Sequence, residues 1–184
     1  MSFHDYADRH RPEDEDAAVR AEAEEIRLLD ALEQDHSEFT IAPGAENIIR
    51  ALAAWAWLDL PDLRPILVNA FGEIFFLQGP EGGKKAAVVM LDTLGGSIQP
   101  VAENLAAFSA TLETEEGQDD LLVAGLVNAL RDRGELLGAD ECYDYKLAPV
   151  LGGDFEPGNI EAVDFVSKHI AVGELHRELA EAAT

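Results

Sequence analysis

The sequence is short of positive charge. It has 13 Lys and Arg residues against 37 Asp and Glu, which gives a formal net charge of −24. A protein that binds a phosphate backbone needs clusters of Lys and Arg, and the densest here are Lys84 with Lys85 and Arg131 with Arg133. We therefore expect no contact with nucleic acid or anionic membrane, and a partner with a basic surface. The alternative is that the negative charge serves only solubility.

Cysteine and long apolar runs are also scarce. The single cysteine, Cys142, excludes an internal disulfide and suits a reducing compartment, so we interpret it as a structural thiol. No apolar run approaches the roughly 20 residues that a membrane-spanning helix requires. The first residues lack the apolar core of a signal peptide. Together these absences predict a cytoplasmic protein.

Motifs that carry catalysis are missing. The sequence contains no GxGxxG, GxSxG or CxxC, and its GPEGGKK string lacks the GxxxxGK[ST] spacing of a phosphate loop. His169 and His176 are seven positions apart, whereas zinc ligands on one helix are typically three or four apart. We predict that the protein is not an enzyme and holds no metal or cofactor.

The clearest β signal lies in residues 66–98. Two apolar runs, ILVNAFGEIFFL and AAVVML, are separated by a Gly-rich segment, which is typical of a hairpin. We predict one strand over residues 66–77, covered on both faces, and a partner strand over residues 86–91, followed by a reversal at residues 94–96. Gly72 within the first run indicates a bulge or a close backbone approach. The connection over residues 78–85 is predicted to be exposed and flexible.

Helical periodicity surrounds this segment. Helices are predicted over residues 12–34, 45–58, 100–112, 119–133 and 160–180, a strand over residues 142–147, and a loose arm over residues 1–11. Trp55 and Trp57 lie at helical spacing among aliphatic residues, so we interpret them as core. The predicted class is α+β, a small hairpin-based antiparallel sheet packed with several helices. We divide the chain into an acidic helical segment, residues 1–54, and an α+β domain, residues 55–184, which form one compact unit.

Four strings carry a resemblance to a known family: ILVNAFGEIFFL, VVMLDTLGGSIQPVAENLAAF, ECYDYKLAPVLGGDFEPGNIEAVDF and GELHREL. In this order and spacing they resemble the C-terminal domain of immunity proteins that neutralise DNase effectors of the bacterial type VI secretion system. The resemblance covers residues 55–179. This domain usually follows a GAD-like domain, which is not recognisable here, where residues 1–54 form an acidic helical segment instead.

The resemblance implies an α+β fold and a cytoplasmic, non-enzymatic protein. Such a protein binds a cognate toxin and blocks its active site or its substrate groove. The family pattern also implies a scaffold role for twelve matched positions: Asn69, Phe71, Gly72, Leu91, Asp92, Gly95, Gly96, Tyr143, Lys146, Gly152, Gly153 and Asn159.

One short segment is a candidate contact surface for a basic toxin because of its acidic density. It contains Glu113, Glu115, Glu116, Asp119 and Asp120. The ordinary alternative is a helix start, where carboxylates complement the helix dipole.

Two other functions stay open at this point. A small-molecule-binding or regulatory module would have its pocket where the two tryptophans meet the sheet and the loop over residues 151–159, near Tyr143, Tyr145 and Phe155. A structural scaffold or oligomer is the third reading, and the sequence leaves the oligomeric state open.

Overall fold

The computed structural model describes residues 13–58, 63–79 and 86–183, with side chains from residue 23 onward. The predicted arm over residues 1–11, the predicted helix start at Pro12 and most of the predicted flexible connection lie outside the described residues. None of the helices in the described ranges is both long enough and apolar enough to cross a bilayer.

The described part contains six α-helices and seven strands. The helices are α1 (Glu13–Asp35), α2 (Ala45–Ala53), α3 (Leu105–Leu112), α4 (Glu115–Leu122), α5 (Ala124–Asp132) and α6 (Phe165–Ala182). The strands are β1 (Thr40–Ile41), β2 (Leu63–Asn69), β3 (Ile74–Gln78), β4 (Ala87–Asp92), β5 (Ser97–Ala102), β6 (Glu141–Tyr145) and β7 (Ile160–Asp164). Short 3-10 turns occupy Ala56–Leu58, Pro149–Leu151 and Pro157–Asn159.

The strands form two antiparallel sheets. Strands β1 to β5 pair in chain order as a five-stranded meander, and β6 pairs with β7 alone. This arrangement confirms the predicted α+β class with a small antiparallel sheet packed with helices.

The prediction of a single strand over residues 66–77 is wrong, because this run is itself a hairpin of β2 and β3. The side-chain Oδ1 of Asn69 accepts hydrogen bonds from the backbone N–H groups of Phe71 (3.1 Å) and Glu73 (3.0 Å). Gly72 takes a positive φ of 79°, which other residues adopt only with strain. The turn is buried, so Ala70 and Phe71 within it are apolar and fit the pattern of a strand.

Several predicted helix ends are also wrong. Pro100 lies within β5 rather than at a helix start, and Asn104 caps α3 by accepting a hydrogen bond from Ala107 N at 2.9 Å. An outer strand tolerates a proline because the missing N–H costs no ladder hydrogen bond. Strand β7 occupies the first five residues predicted for the last helix, and the second predicted helix ends at Ala53.

The predicted helix over residues 119–133 is two helices that meet at Val123, whose φ is 55°. The break is bridged by Asp119, whose Oδ1 accepts a hydrogen bond from the N–H of Gly125 at 2.7 Å. The first of the two helices, α4, begins at Glu115, four residues before the predicted start.

The apolar spacing of the first helix predicts a buried stripe of Val19, Ala23, Ile26, Leu29 and Leu32, and the structure confirms only Leu29 and Leu32. Ile26 is 54% exposed and Ala23 is exposed, whereas Leu28, Leu29 and Leu32 pack against the core. The predicted stripe residue Val19 lies outside the described side chains. The same spacing places Glu25 on the solvated face, but Glu25 is half-buried and pairs with Arg64 at 2.6 Å.

Two apolar clusters lie on opposite faces of the large sheet. Phe75 and Phe76 are adjacent in β3 and both fully buried, Phe75 against Phe108 of α3 and Phe76 in the cluster that contains Trp55. The first cluster includes residues of α1, α3, α4 and α5, and the second includes residues of α2 and α6. The predicted double coverage thus holds for β3, and the core position of Trp55 is confirmed.

We predict that Gly72→Ala destabilises the fold by about 1–2 kcal/mol, since an L side chain is strained in the left-handed region. The new Cβ would also lie 3.2 Å from the Sγ of Cys142. Urea unfolding followed by circular dichroism measures the effect. The matched control is Gly158→Ala, where a Cβ meets no atom within 4 Å and φ is not positive. Equal loss of stability in both variants contradicts this account.

Candidate functional site

The β2–β3 turn has three successive buried backbone carbonyls, and each of them is hydrogen-bonded to a residue far along the chain. Ala70 O accepts from Tyr143 N at 2.8 Å, Phe71 O accepts from Lys168 Nζ at 2.5 Å, and Gly72 O contacts His169 Nε2 at 2.8 Å. Unpaired buried carbonyls would cost folding free energy, so these contacts anchor β6 and α6 to the sheet. We call residues 69–73 the anchor turn.

Lys168 is the buried cation of this network, with a side chain that is 2% exposed. Its Nζ also donates to Tyr143 O at 3.1 Å and lies 3.3 Å from the Oδ1 of Asp144. A buried ammonium is stable only when its donors are paired in this way. Sequence reasoning missed Lys168, because a lone lysine in a helix gives no sign of burial.

His169 is held as a neutral ring by two hydrogen bonds. Its Nδ1 accepts from Trp55 Nε1 at 2.9 Å, and a carbonyl can only accept, so Nε2 carries the proton toward Gly72. Burial, followed by the charge of Lys168, lowers the pKa of His169 to about 3. Both ring nitrogens are therefore used in structure at neutral pH.

His176 is likewise buried and makes a structural contact, with its Nε2 3.1 Å from the carbonyl oxygen of Thr93. Gly96, at φ 63°, lies under its ring, and a Cβ there would overlap the ring. Among the described residues, no group of three or more His, Cys, Asp or Glu is placed to hold a metal ion.

Asn69 and Glu73 complete the polar interior of the anchor turn. The Nδ2 of Asn69 donates to Glu73 Oε2 at 2.8 Å and to Leu121 O at 3.0 Å, which joins the turn to α4. Burial raises the pKa of Glu73, and the hydrogen bond from Asn69 opposes that shift. Cys142 is fully buried, and desolvation raises its pKa to about 11, so it is a protonated thiol at neutral pH.

The remaining matched positions lie in the core or in two tight loops. Leu91 is fully buried, and Phe71 packs against the ring of Tyr143, whose hydroxyl donates to Glu135 O at 2.5 Å. Asp92 accepts at Oδ1 from Leu94 N and Gly95 N, both at 2.9 Å. The second loop holds the others: Lys146, Gly152, Gly153 and Asn159.

All five acidic residues of the candidate surface are exposed. Glu113 follows α3, and Glu115, Glu116, Asp119 and Asp120 lie on α4. None of them forms an ion pair with another described residue, and residues 86–130 contain no Lys or Arg. We call these five residues the acidic surface. No local ion pair neutralises the charge of these residues. Asp119 has a structural role as well, because it closes the α4–α5 junction.

The residues predicted to form a small-molecule pocket make separate contacts in the structure. Trp55 stacks on Trp57 and contacts His169 and His176 in the core, whereas Phe155 contacts Tyr145. An open groove of about 820 Å³ lies elsewhere, between the end of α1, β1, the start of α2 and β2.

These features define a class: an acidic α+β protein whose buried polar groups serve the fold and whose acidic surface faces solvent. Residues 102–176 match the family model described as "T6SS immunity protein Tdi1, C-terminal", where T6SS denotes the type VI secretion system. The match confirms, for these residues, the resemblance seen in the sequence. A search of the curated proteins found no match.

The matched segment is narrower than the resemblance in the sequence. It begins at the end of β5 and contains α3, α4, α5, β6, β7 and most of α6. The acidic surface, Tyr143, Lys168 and His169 lie inside it. The NAFGEIFF and LDTLGG strings lie outside it, although the anchor turn contacts residues within it.

We predict that His169 makes the fold sensitive to acid. The unfolded chain takes up a proton at this histidine near its usual pKa of 6.5, whereas burial lowers the folded-state pKa of His169 to about 3. Stability from this group is present above pH 6.5 and falls by up to about 1.4 kcal/mol per pH unit as pH drops toward 3. In urea unfolding from pH 7 to pH 4, His169→Gln should show a shallower pH dependence than the wild type. Parallel curves would overturn this assignment.

Proposed function

We propose that this protein binds and neutralises a cognate type VI secretion toxin, specifically a DNase, by covering its active site or its DNA-binding groove. The proposal assigns it no catalysis of its own. The observation that carries the proposal is the similarity of residues 102–176 to the family model of a type VI immunity protein.

The charge distribution supports a nuclease as the toxin. A DNase needs a basic groove for its substrate, and this chain carries a net charge of −24. An acidic inhibitor of such an enzyme gains electrostatic steering and can occupy the groove in place of the DNA backbone. The acidic surface lies within the matched segment and has no basic neighbour in residues 86–130.

The structure also explains how α4 can present its carboxylates in a fixed arrangement. Thr114 caps the helix by accepting a hydrogen bond from Gly117 N at 3.0 Å, and Gly117 is packed so closely on Thr111 that a Cβ would overlap its carbonyl. Asn69 binds the carbonyl of Leu121 at the other end. A surface held on both sides loses little conformational entropy when it binds.

The first experiment tests the function itself. The purified protein is mixed with a catalytically inactive form of the effector encoded beside its gene, and binding is measured by calorimetry in low salt. The active effector is then assayed for DNA cleavage with and without the protein. We expect tight binding and loss of cleavage. No binding in low salt, with both proteins folded, rejects the proposed function.

The second prediction concerns the acidic surface. Reversing Glu115, Glu116 and Asp120 to Lys should slow association with the effector at least about tenfold in low salt and much less in high salt, because steering is screened. Asp119 is left unchanged because it accepts from Gly125 N. Association rates are measured by surface plasmon resonance.

The matched control is the triple change of Glu174, Glu178 and Glu181 to Lys, which alters the net charge equally at exposed positions of α6. Equal slowing in both triple variants means that only the overall charge matters. An unchanged rate in the α4 variant removes the acidic surface from the binding mechanism.

A further inference from the structure

The loop between β6 and β7 exposes an unusual set of large apolar side chains. Leu147 is 48% exposed, Val150 49%, Leu151 57% and Phe155 60%. Single exposed apolar residues are common, but four within nine residues of one loop concentrate exposed apolar surface, a feature typical of interaction sites. We call these four residues the apolar loop patch.

The loop that carries the patch is tightly tied together. The side chain of Asn159 donates to Leu147 O at 2.9 Å and to Asp154 O at 2.8 Å, and its Oδ1 accepts from Leu147 N at 3.0 Å. Gly153 N donates to Ala148 O at 3.1 Å, and a Cβ on Gly153 would overlap the carbonyl of Leu147. A loop ordered before binding loses little conformational entropy in a complex.

Phe155 is supported from the core side. Its ring contacts the ring of Tyr145 edge to face, with the ring centroids 5.6 Å apart. The ring centroid of Tyr145 in turn lies 5.8 Å from that of Phe71 in the anchor turn. The outer part of the Phe155 ring remains in water. A rigid, half-exposed aromatic side chain with this support is the usual form of a binding hot spot.

Acidic groups flank the patch. Asp154, Glu156 and Glu161 are exposed around it, and the one lysine of the loop, Lys146, donates its Nζ to Gly158 O at 3.0 Å. An apolar centre with a charged rim is the general layout of a protein interface. The rim has the sign that complements a basic partner and disfavours a second copy of this chain, whose net charge is −24.

We propose that the apolar loop patch is the anchor by which this protein holds its toxin, seated in an apolar recess between Lys and Arg side chains of the toxin's basic face. The proposal rests on the proposed function and deepens it. The acidic surface on α4 accelerates encounter, whereas Leu151 and Phe155 set the lifetime of the complex.

The test compares rates rather than affinity alone. Leu151→Ala, Phe155→Ala and the double variant are measured against the immobilised, catalytically inactive effector in low and high salt. We expect dissociation at least about tenfold faster, association within about twofold of wild type, and an effect that persists in high salt. Thermal unfolding confirms that the variants fold. Leu151→Ala is the safer variant because Phe155 contacts Tyr145.

The control is Leu136→Ala, a change at a residue that is 68% exposed and lies outside the loop. If the wild type binds and the loop variants dissociate no faster than the control, the anchor is overturned while the proposed function stands. If the wild type does not bind, both fall together. If the variants only convert a wild-type dimer into monomers, the patch is a self-association surface and the anchor is likewise overturned.

Discussion

Buried backbone carbonyls at the anchor turn are the constraint on which the structure depends. Ala70, Phe71 and Gly72 turn the chain inside the core, where water cannot bind their carbonyl oxygens. Tyr143, Lys168 and His169 supply the donors. One turn thereby fixes the large sheet, the small sheet and helix α6 relative to one another. The need to pair these carbonyls explains why polar residues are buried around the turn, without assigning them a catalytic role.

This constraint separates the buried residues that build the fold from the exposed residues that a partner could reach. The residues of the anchor turn are buried and engaged with one another, so they are unavailable to a partner. The acidic surface on α4 and the loop between β6 and β7 are exposed, yet both are tied to the buried network through Asn69 with Leu121 and through Phe155 with Tyr145. A stable interior thus positions two chemically different surfaces, one charged and one apolar, within the segment that matches the immunity family.

Sequence patterns predicted the elements better than their ends. The apolar runs of β3 and β4, the core position of Trp55 and the α+β class followed from periodicity and composition. The anchor turn was missed because a turn buried in the core carries apolar residues, and its only local signals are Asn69 and Gly72. Pro100 was wrongly predicted to begin a helix because a proline fits both a helix start and an outer strand. Which of the two forms depends on whether a neighbouring strand pairs with the segment. Sequence spacing alone could not decide whether the acidic residues form an exposed contact surface or an ordinary helix start.

The sequence by itself determined the net charge, the absence of an internal disulfide, the apolar periodicity and the strings that resemble the immunity family, because each is a property of composition or of neighbouring residues. Only the tertiary structure decided that Lys168 and His169 are buried donors and that Leu151 and Phe155 are exposed. The bonds from Lys168 and His169 join residues 97 positions apart, and burial depends on which distant segments cover a side chain. The local sequence does not specify this choice. A lysine in a helix or a phenylalanine in a loop can be buried or exposed, depending on how the rest of the chain packs over it.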